Sequence, residues 1–303
     1  MKKTASSLHV DGILLVDKPY GATSNDVLQQ VKRLFGAKKA GHSGTLDPMA
    51  TGMLLICFGE ATKFCQYLLE SDKCYEVTGL LGVQTDTGDA LGEVIAKNDF
   101  FTVSENDLHA ALAEFIGPIQ QIPSMFSALK HKGTPLYKYA RRGIEIPRKP
   151  RDITIYQMLL NQFDGQQFSL TVTCSKGTYI RNLVEDIGAK LRVGAHVTRL
   201  HRCYSAGFMG ERMYSLDELQ SSSHEELMTF LLPIDKAVSH FPHFSLSAAD
   251  TLALLQGKIV QLHPNAMTGC VRLYENDTKF VGLGEINTNG QLKAKRLVAN
   301  TNR

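Results

Sequence analysis

The chain has 303 residues, room for about two domains at ~100–200 residues each and for at least one sizeable core. Hydrophobic residues make up 43% and charged residues 21%, which excludes a disordered chain, a collagen, a coiled coil and a disulfide scaffold. Thirty-three Lys and Arg against thirty Asp and Glu leave +3, and that balance, taken over the whole chain, argues against a strongly charged partner.

The opening MKKTASSLHVDG has two lysines but no apolar stretch behind them, so it does not read as a signal peptide. The longest apolar run, Met53 to Phe58, is far short of a membrane span. A cytoplasmic protein is expected. Ile13 to Val16 reads as a strand stopped by Asp17-Lys18-Pro19. A helix follows: Thr23 and Asp26 have capping-box spacing, Val27, Leu28, Val31, Leu34 and Phe35 recur at helical period, and Gly36 ends it. GHSGTLDPMATG (41–52) reads as a turn-rich loop entering the strand Met53 to Phe58. Tyr75, Val77 and Leu81 alternate with Glu76 and Thr78, which suggests a half-exposed strand from Lys73 to Gly82, with another after the turn Thr87 to Gly92. Ser104 and Asp107 cap a helix carrying Leu108, Ala111, Leu112, Phe115 and Ile116.

The charge is concentrated in the next segment. Lys130 to Arg151 holds eight bases (Lys130, Lys132, Lys138, Arg141, Arg142, Arg148, Lys149, Arg151) and one acid, Glu145, a local +7 that leaves −4 on the other 281 residues. Tyr137 and Tyr139 interleave with the bases, as in surfaces that grip nucleic acid by phosphate contact and stacking. The plainer alternative is a solvated, disordered linker. Beyond it, ITIYQMLLNQF and QQFSLTVTC flank Asp164-Gly165, a strong hairpin signal. Ile180, Leu183, Val184, Ile187 and Leu191 mark a helix from about Tyr179. From about Phe244 the chain reads as short β pieces, Cys270 to Tyr274 and Lys279 to Gly284, separated by NDT and NTNG turns. Helices and strands intersperse without a βαβ rhythm, so the expected class is α+β with a mixed, mainly antiparallel sheet.

The six cysteines (Cys57, Cys65, Cys74, Cys174, Cys203, Cys270) show no CxxC or tight Cys/His spacing. They read as reduced, semi-buried thiols and argue against zinc. Gly41-His42-Ser43-Gly44 misses the nucleophile elbow of serine hydrolases by one residue, Thr45. No Walker-type phosphate loop or dinucleotide glycine motif occurs. Asp86, Asp89 and Glu93 miss calcium spacing and read as a solvated turn. Asp47 remains. An Asp before Pro is ordinarily a turn former, but here glycines on both sides and a following strand would present the carboxylate rigidly with room for a substrate backbone.

Four motifs, DKPYGATS (17–24), GHSGTLDPMATG (41–52), Lys73-Cys74-Tyr75 and SKGTYIR (175–181), together resemble, in order and spacing along the whole chain, the pseudouridine synthases of the bacterial TruB type. The resemblance implies the pseudouridine synthase fold over 1–242, an RNA-gripping insertion at about 124–152, and a small PUA-like RNA-binding domain over 243–303. It implies isomerisation of uridine 55 in the tRNA T-loop, with tRNA as partner and no cofactor or metal, since no electrons or external atoms are exchanged.

In that likeness Asp47 is the catalytic carboxylate, Arg181 its partner, and Tyr75 the residue that stacks on the base and takes the C5 proton. His42, Tyr179, Leu200 and Lys18 match positions of the uridine pocket and its floor. Lys130, Lys132, Arg141, Arg142, Arg148 and Lys149 would meet the RNA backbone, the insertion being disordered until tRNA binds. A monomer is expected. The competing readings are a guide-RNA-dependent relative, a non-catalytic tRNA-binding protein, and a hydrolase using Ser43.

Overall fold

The computed structural model describes residues 9–262 and 267–299. The opening MKKTASSL, and with it most of the segment read as no signal peptide, lies outside them.

The first strand, β1 (Gly12–Lys18), is almost wholly buried. It delivers the chain to helix α1 (Ser24–Leu34), which Thr23 and Asp26 cap reciprocally and whose Val27, Leu28 and Val31 face the core. The GHS segment differs from its sequence reading: Ala40–Ser43 form a short edge strand, β2, paired antiparallel to β3 (Thr51–Phe58). The turn signals therefore belong to Gly44–Ala50 alone.

After the short helix α2 (Cys65–Leu69) comes β4 (Lys73–Leu81). This strand is more buried than its alternation suggested, because it lies between two neighbours at the centre of the sheet and Lys73, Cys74 and Tyr75 are all enclosed. A hairpin of the half-buried β5 (Val83–Thr85) and the exposed β6 (Val94–Lys97) follows. Helix α3 (Glu105–Ala113) has the expected capping box at Ser104, but it stops before Phe115 and Ile116.

Strand β7 (Gly117–Gln121) leads into the basic window. That window has local structure where disorder was expected. A two-residue hairpin, β8 (Lys130–His131) with β9 (Thr134–Pro135), runs into helix α4 (Leu136–Ala140), anchored by the buried Leu136. Strands β10 (Arg151–Phe163) and β11 (Gln167–Cys174) form the hairpin signalled by Asp164-Gly165. Helix α5 (Ile180–Lys190) then packs Leu183, Val184 and Ile187 inward, and β12 (Ala195–Ser205) returns to the sheet.

Strand β13 (Tyr214–Ser215) and helices α6 (Leu216–Ser221) and α7 (His224–Thr229) complete this part. Its nine-stranded sheet has the order β13-β1-β3-β12-β4-β11-β10-β7, with β2 beside β3. Only β1/β13 and β12/β3 pair in parallel. One face carries the larger core, in which α1 and α5 bury their apolar sides.

The rest of the chain builds a second sheet from β14 (His243–Leu246), β15 (Val260–Gln261), β16 (Gly269–Glu275), β17 (Lys279–Ile286) and β18 (Gln291–Leu297). Between its first two strands lies helix α8 (Ala248–Leu255), which the sequence reading had passed over in favour of β pieces. This sheet sits on the other face of the first: Leu283 joins a core with Ile13, Leu15, Leu55 and Phe64, and Phe280 lies 5.7 Å from Phe64. Tyr274 closes the seam by donating to Asp235 at 2.6 Å. All six cysteines are free thiols; Cys57, Cys74 and Cys174 are fully buried and the other three partly so.

Candidate active site

Asp47 stands on the Gly44–Ala50 loop, which is fixed from below by its own apolar residues: Leu46, Met49 and Ala50 are core. Its polar backbone is fixed from three other directions. Ser24 accepts from the Leu46 amide at 2.8 Å and donates to the Leu46 carbonyl at 3.0 Å. The Lys18 ammonium, its side chain wholly buried, donates to the carbonyls of Pro19, Ala22 and Pro48 at 2.8, 2.7 and 3.3 Å. Arg202 donates from Nη2 to the Gly44 carbonyl at 2.9 Å and from Nε to Met53 at 2.7 Å, holding both ends of the loop at once.

Gly52 marks where the strands carrying these anchors meet, opposite Lys18 on one side and Arg202 on the other. Its φ is +96°, and a Cβ there would lie 2.4 Å from the Arg202 carbonyl oxygen. Only glycine fits.

Arg181, in the first turn of α5, reaches Asp47 with Nε at 2.9 Å from Oδ2. Its other two nitrogens are engaged as well: Nη1 with the Thr87 carbonyl at 2.6 Å and Asp89 at 3.4 Å, Nη2 with the Phe126 carbonyl at 2.8 Å. A guanidinium bonded through all three of its nitrogens is held in one position. The Asp47 side chain is 33% exposed, open on one face and crowded on the others. Burial pushes its carboxyl above the usual range, the Arg181 charge pulls it back, Asp89 adds to the rise, and Lys18 helps to lower it.

Asp89 corrects the reading of its turn as solvated. It is 5% exposed, because the Asp86–Gly92 turn docks on β12 through hydrogen bonds between Val197 and the flanking Gly88 and Ala90. Close by, burial lifts the Glu185 carboxyl to about 7 against the opposing pull of Arg181.

Tyr75, 7% exposed on β4, lies directly opposite Arg202 in the β12/β4 ladder. Burial raises its hydroxyl pKa, with Arg202 working the other way, so it stands as a neutral phenol. Leu200, two residues before Arg202 on β12, is buried opposite Val77. Tyr179 caps α5, and Gln121 fixes its backbone by accepting from the amide at 2.8 Å and donating to the carbonyl at 3.0 Å. His42 on β2 has a buried Nδ1 without a partner, and burial, aided by Arg202, lowers its pKa, keeping the ring neutral.

Asp47, Arg181, Tyr75, Lys18 and Tyr179 thus share one electrostatic neighbourhood. Among the described residues no cluster of His, Cys, Asp or Glu has the arrangement of a metal site. Ser43, the nucleophile of the hydrolase reading, is buried with no partner for its Oγ and therefore no general base.

Lys130, Lys132, Arg141, Arg142 and Lys149 are exposed. Arg148 differs from its sequence reading, since its guanidinium donates to the Pro123 carbonyl at 2.9 Å and pairs with Glu145 at 3.0 Å, so the insertion itself occupies it. Sequence reasoning missed Ser24, Asp89, Gln121 and Arg202. For Arg202 a signal existed: Leu200 and Arg202 alternate along a strand, which puts them on the same face.

Residues 32–180 match the N-terminal domain of TruB family pseudouridylate synthases, 181–239 a tRNA pseudouridylate synthase B C-terminal domain, and 242–298 a further C-terminal domain of pseudouridine synthase II TruB. The chain is 56% identical over 300 residues to tRNA pseudouridine synthase B of Legionella pneumophila subsp. pneumophila, covering 99% of each. It is 50% identical to the protein of that name from Aeromonas salmonicida, with 95% of this chain and 94% of the relative covered.

Among solved structures, one of a Cbf5-Nop10-Gar1 complex aligns with a TM-score of 0.71 at 27% identity over 93% of this chain and 80% of that one. An archaeal box H/ACA sRNP Nop10-Cbf5 complex aligns with a TM-score of 0.69 at 25% identity over 97% and 88%. The chain belongs to the TruB family of pseudouridine synthases, and its fold is theirs.

Proposed function

We propose that this protein isomerises a uridine of tRNA to pseudouridine, that the target is uridine 55 in the T-loop, and that Asp47 carries the reaction. The observation that carries this reading is the Asp47–Arg181 pair: a carboxylate 33% exposed, held at 2.9 Å by a buried guanidinium engaged through all three of its nitrogens, and within electrostatic reach of Tyr75. Such a carboxylate is held in one orientation while part of it stays open to a substrate.

A uridine within a folded T-loop reaches this site by flipping out of its stack, at a cost of a few kcal/mol. Stacking on an aromatic ring returns about 1–3 kcal/mol, so Tyr75 offsets much of that cost. His42, kept neutral by burial, fills the gap the flipped base leaves or bonds the extruded nucleotide; Tyr179 and Leu200 line the pocket. Asp47 then either attacks C1′ or removes a ribose proton to leave a glycal. The C1′–N1 bond breaks, the uracil turns and rejoins C1′ through C5, after which Tyr75 assists loss of the C5 proton. Arg181 serves both first steps by favouring the ionised carboxylate that burial opposes.

The exposed bases Lys130, Lys132, Arg141, Arg142 and Lys149 grip the phosphates of the T-arm, and the C-terminal sheet forms a PUA-like unit that extends the RNA surface. One site suffices for one tRNA, so the enzyme acts as a monomer, in the cytoplasm where tRNA is made. The decisive experiment uses a T-arm transcript carrying tritium at C5 of the target uridine. The wild type releases tritium from this bare transcript, and Asp47→Asn releases none while binding tRNA with unchanged affinity. Full activity in Asp47→Asn would overturn the assignment, and activity only with an added guide RNA would favour the guide-dependent reading.

A further inference from the structure

The positive charges around the site are not all paired. Asp47 and Asp89 both face Arg181, and Lys18 lies near Asp47, but among the described residues no carboxylate stands within ion-pair distance of Arg202. Its side chain is 1% exposed, and its hydrogen bonds go to the neutral carbonyls of Met53 and Gly44. A buried guanidinium without a counter-charge costs stability that an apolar side chain of similar volume would not. Holding the loop ends explains the hydrogen bonds but not the charge.

The place of that charge is informative. Arg202 and Tyr75 are directly opposed across an antiparallel pair, and opposed residues present their side chains on the same face with Cβ atoms about 5 Å apart. The Arg202 guanidinium accordingly acts on the Tyr75 hydroxyl, favouring its ionised form against burial, so the charge lies against the phenol end of the ring. It also reaches Lys18, His42 and Lys73, where burial lowers the affinity for a proton and the Arg202 charge lowers it further.

We propose that Arg202 is a positioning residue whose unneutralised charge, set against Tyr75, stabilises the uracil anion at the moment the glycosidic bond breaks. The proposal rests on the uridine reading above. In both first steps open to Asp47 the electron pair of the C1′–N1 bond leaves with the base. Either an Asp47 oxygen forms a bond to C1′ as N1 departs, or Asp47 takes the C2′ proton and the C1′–C2′ double bond forms as N1 departs. The detached uracil is then an anion spread over N1, O2 and O4.

It stays an anion until C5 bonds to C1′, when the carboxylate leaves C1′ or returns its proton to C2′. Loss of the C5 proton and gain of one at N1 complete the product. A charge fixed in place beforehand stabilises such an anion without reorganising as it forms, and the two hydrogen bonds to Gly44 and Met53 hold the Arg202 guanidinium in that place.

The test varies the leaving group. T-arm transcripts carry uridine or 5-fluorouridine at the target position, and loss of the starting nucleoside is followed in single turnovers by nucleoside chromatography. Fluorine at C5 withdraws electrons and makes the departing anion easier to form, so 5-fluorouridine depends less on outside help. Arg202→Met is expected to slow uridine about tenfold or more and 5-fluorouridine by less, raising the ratio of the two rates severalfold above wild type. Arg202→Lys keeps the charge and loses the double clamp, so its rates fall with the ratio unchanged.

An unchanged ratio in Arg202→Met, or an equally raised one in Arg202→Lys, overturns the proposal and leaves Arg202 a loop anchor. Circular dichroism and tRNA affinity confirm that each variant is folded, and Arg202→Gln replaces Arg202→Met if the latter is not. A wild type that converts neither nucleoside overturns the uridine reading itself, an outcome distinct from a flat ratio.

Discussion

The Gly44–Ala50 loop and the segment from Lys130 to Arg151 both carry Gly, Pro and turn residues, yet the chain treats them in opposite ways. In the first, Leu46, Met49 and Ala50 are sunk in the core, and the carbonyls of Gly44, Leu46 and Pro48 are each claimed by a side chain from elsewhere, Arg202, Ser24 and Lys18. In the second, Leu136 alone is buried, and local bonds carry the structure, Leu136 to Leu129 and Tyr137 to Ser127. Chemistry at a single bond depends on placement within a fraction of an ångström. Contact with a phosphate chain asks only that charge arrive within reach. Just before the second segment the Phe126 carbonyl is held by Arg181, so the base of the insertion touches the arginine that fixes Asp47.

Breaking the rigid region at its crossing point gives the largest expected effect. Gly52→Ala must accommodate a strained φ and a Cβ against the Arg202 backbone. It is expected to lose about 3–5 kcal/mol of stability in denaturant unfolding, the range of compounded strain and overpacking. Activity should fall further than the unfolded fraction explains, because both Lys18 and Arg202 shift with their strands. A loss below about 1 kcal/mol would show that the loop is less over-determined than its contacts imply.

Glu185 sharpens the electrostatic side of the same region. Its carboxyl is raised from 4.5 to about 7 by burial, so the folded protein holds the proton that the unfolded chain has released. The sign follows: this group's contribution to stability is complete below about pH 4.5, declines as pH rises toward 7, and is gone above it. Glu185→Gln cannot ionise and escapes the decline. The variant is expected to match wild type near pH 4.5 and to exceed it by ~2 kcal/mol at pH 8, the shift being discounted for residual hydration. Urea unfolding across that pH range reads the difference, and a gap independent of pH would remove burial as the cause.

What could be read in the sequence divides along the same line. Thr23 with Asp26 and Ser104 with Asp107 were legible as capping boxes because donor and acceptor lie three residues apart. The Asp164-Gly165 hairpin was legible for the same local reason. Asp47, Tyr75 and Arg181 were legible through family motifs. The groups that hold them were not: Arg202 acts on Met53 and Gly44 from 149 and 158 positions away, and Gln121 on Tyr179 from 58. No local pattern separates such a residue from a solvated one. Asp89 failed likewise, since only the docking of its turn on β12 buries it. The C-terminal helix Ala248–Leu255 was lost among short apolar runs that do not distinguish helix from strand.

The smallest expected effect on stability comes from the insertion, and its smallness is the point. Lys130, Lys132, Arg141 and Arg142 are exposed and enter no ion pair among the described residues. Replacing all four with Ala should alter stability by no more than about 0.5 kcal/mol at each position while weakening tRNA binding. Because each phosphate contact contributes about 0.7–0.9 to the slope of log affinity against log salt, loss of four contacts should flatten that slope by about 3. Arg148→Ala is the internal contrast, since it frees the Pro123 carbonyl and Glu145 and should loosen the insertion, read as faster local proteolysis, with a slope change smaller than one contact. If the quadruple variant kept its slope and Arg148→Ala lost it, the grip would lie in the ordered base of the insertion and not in its exposed charge.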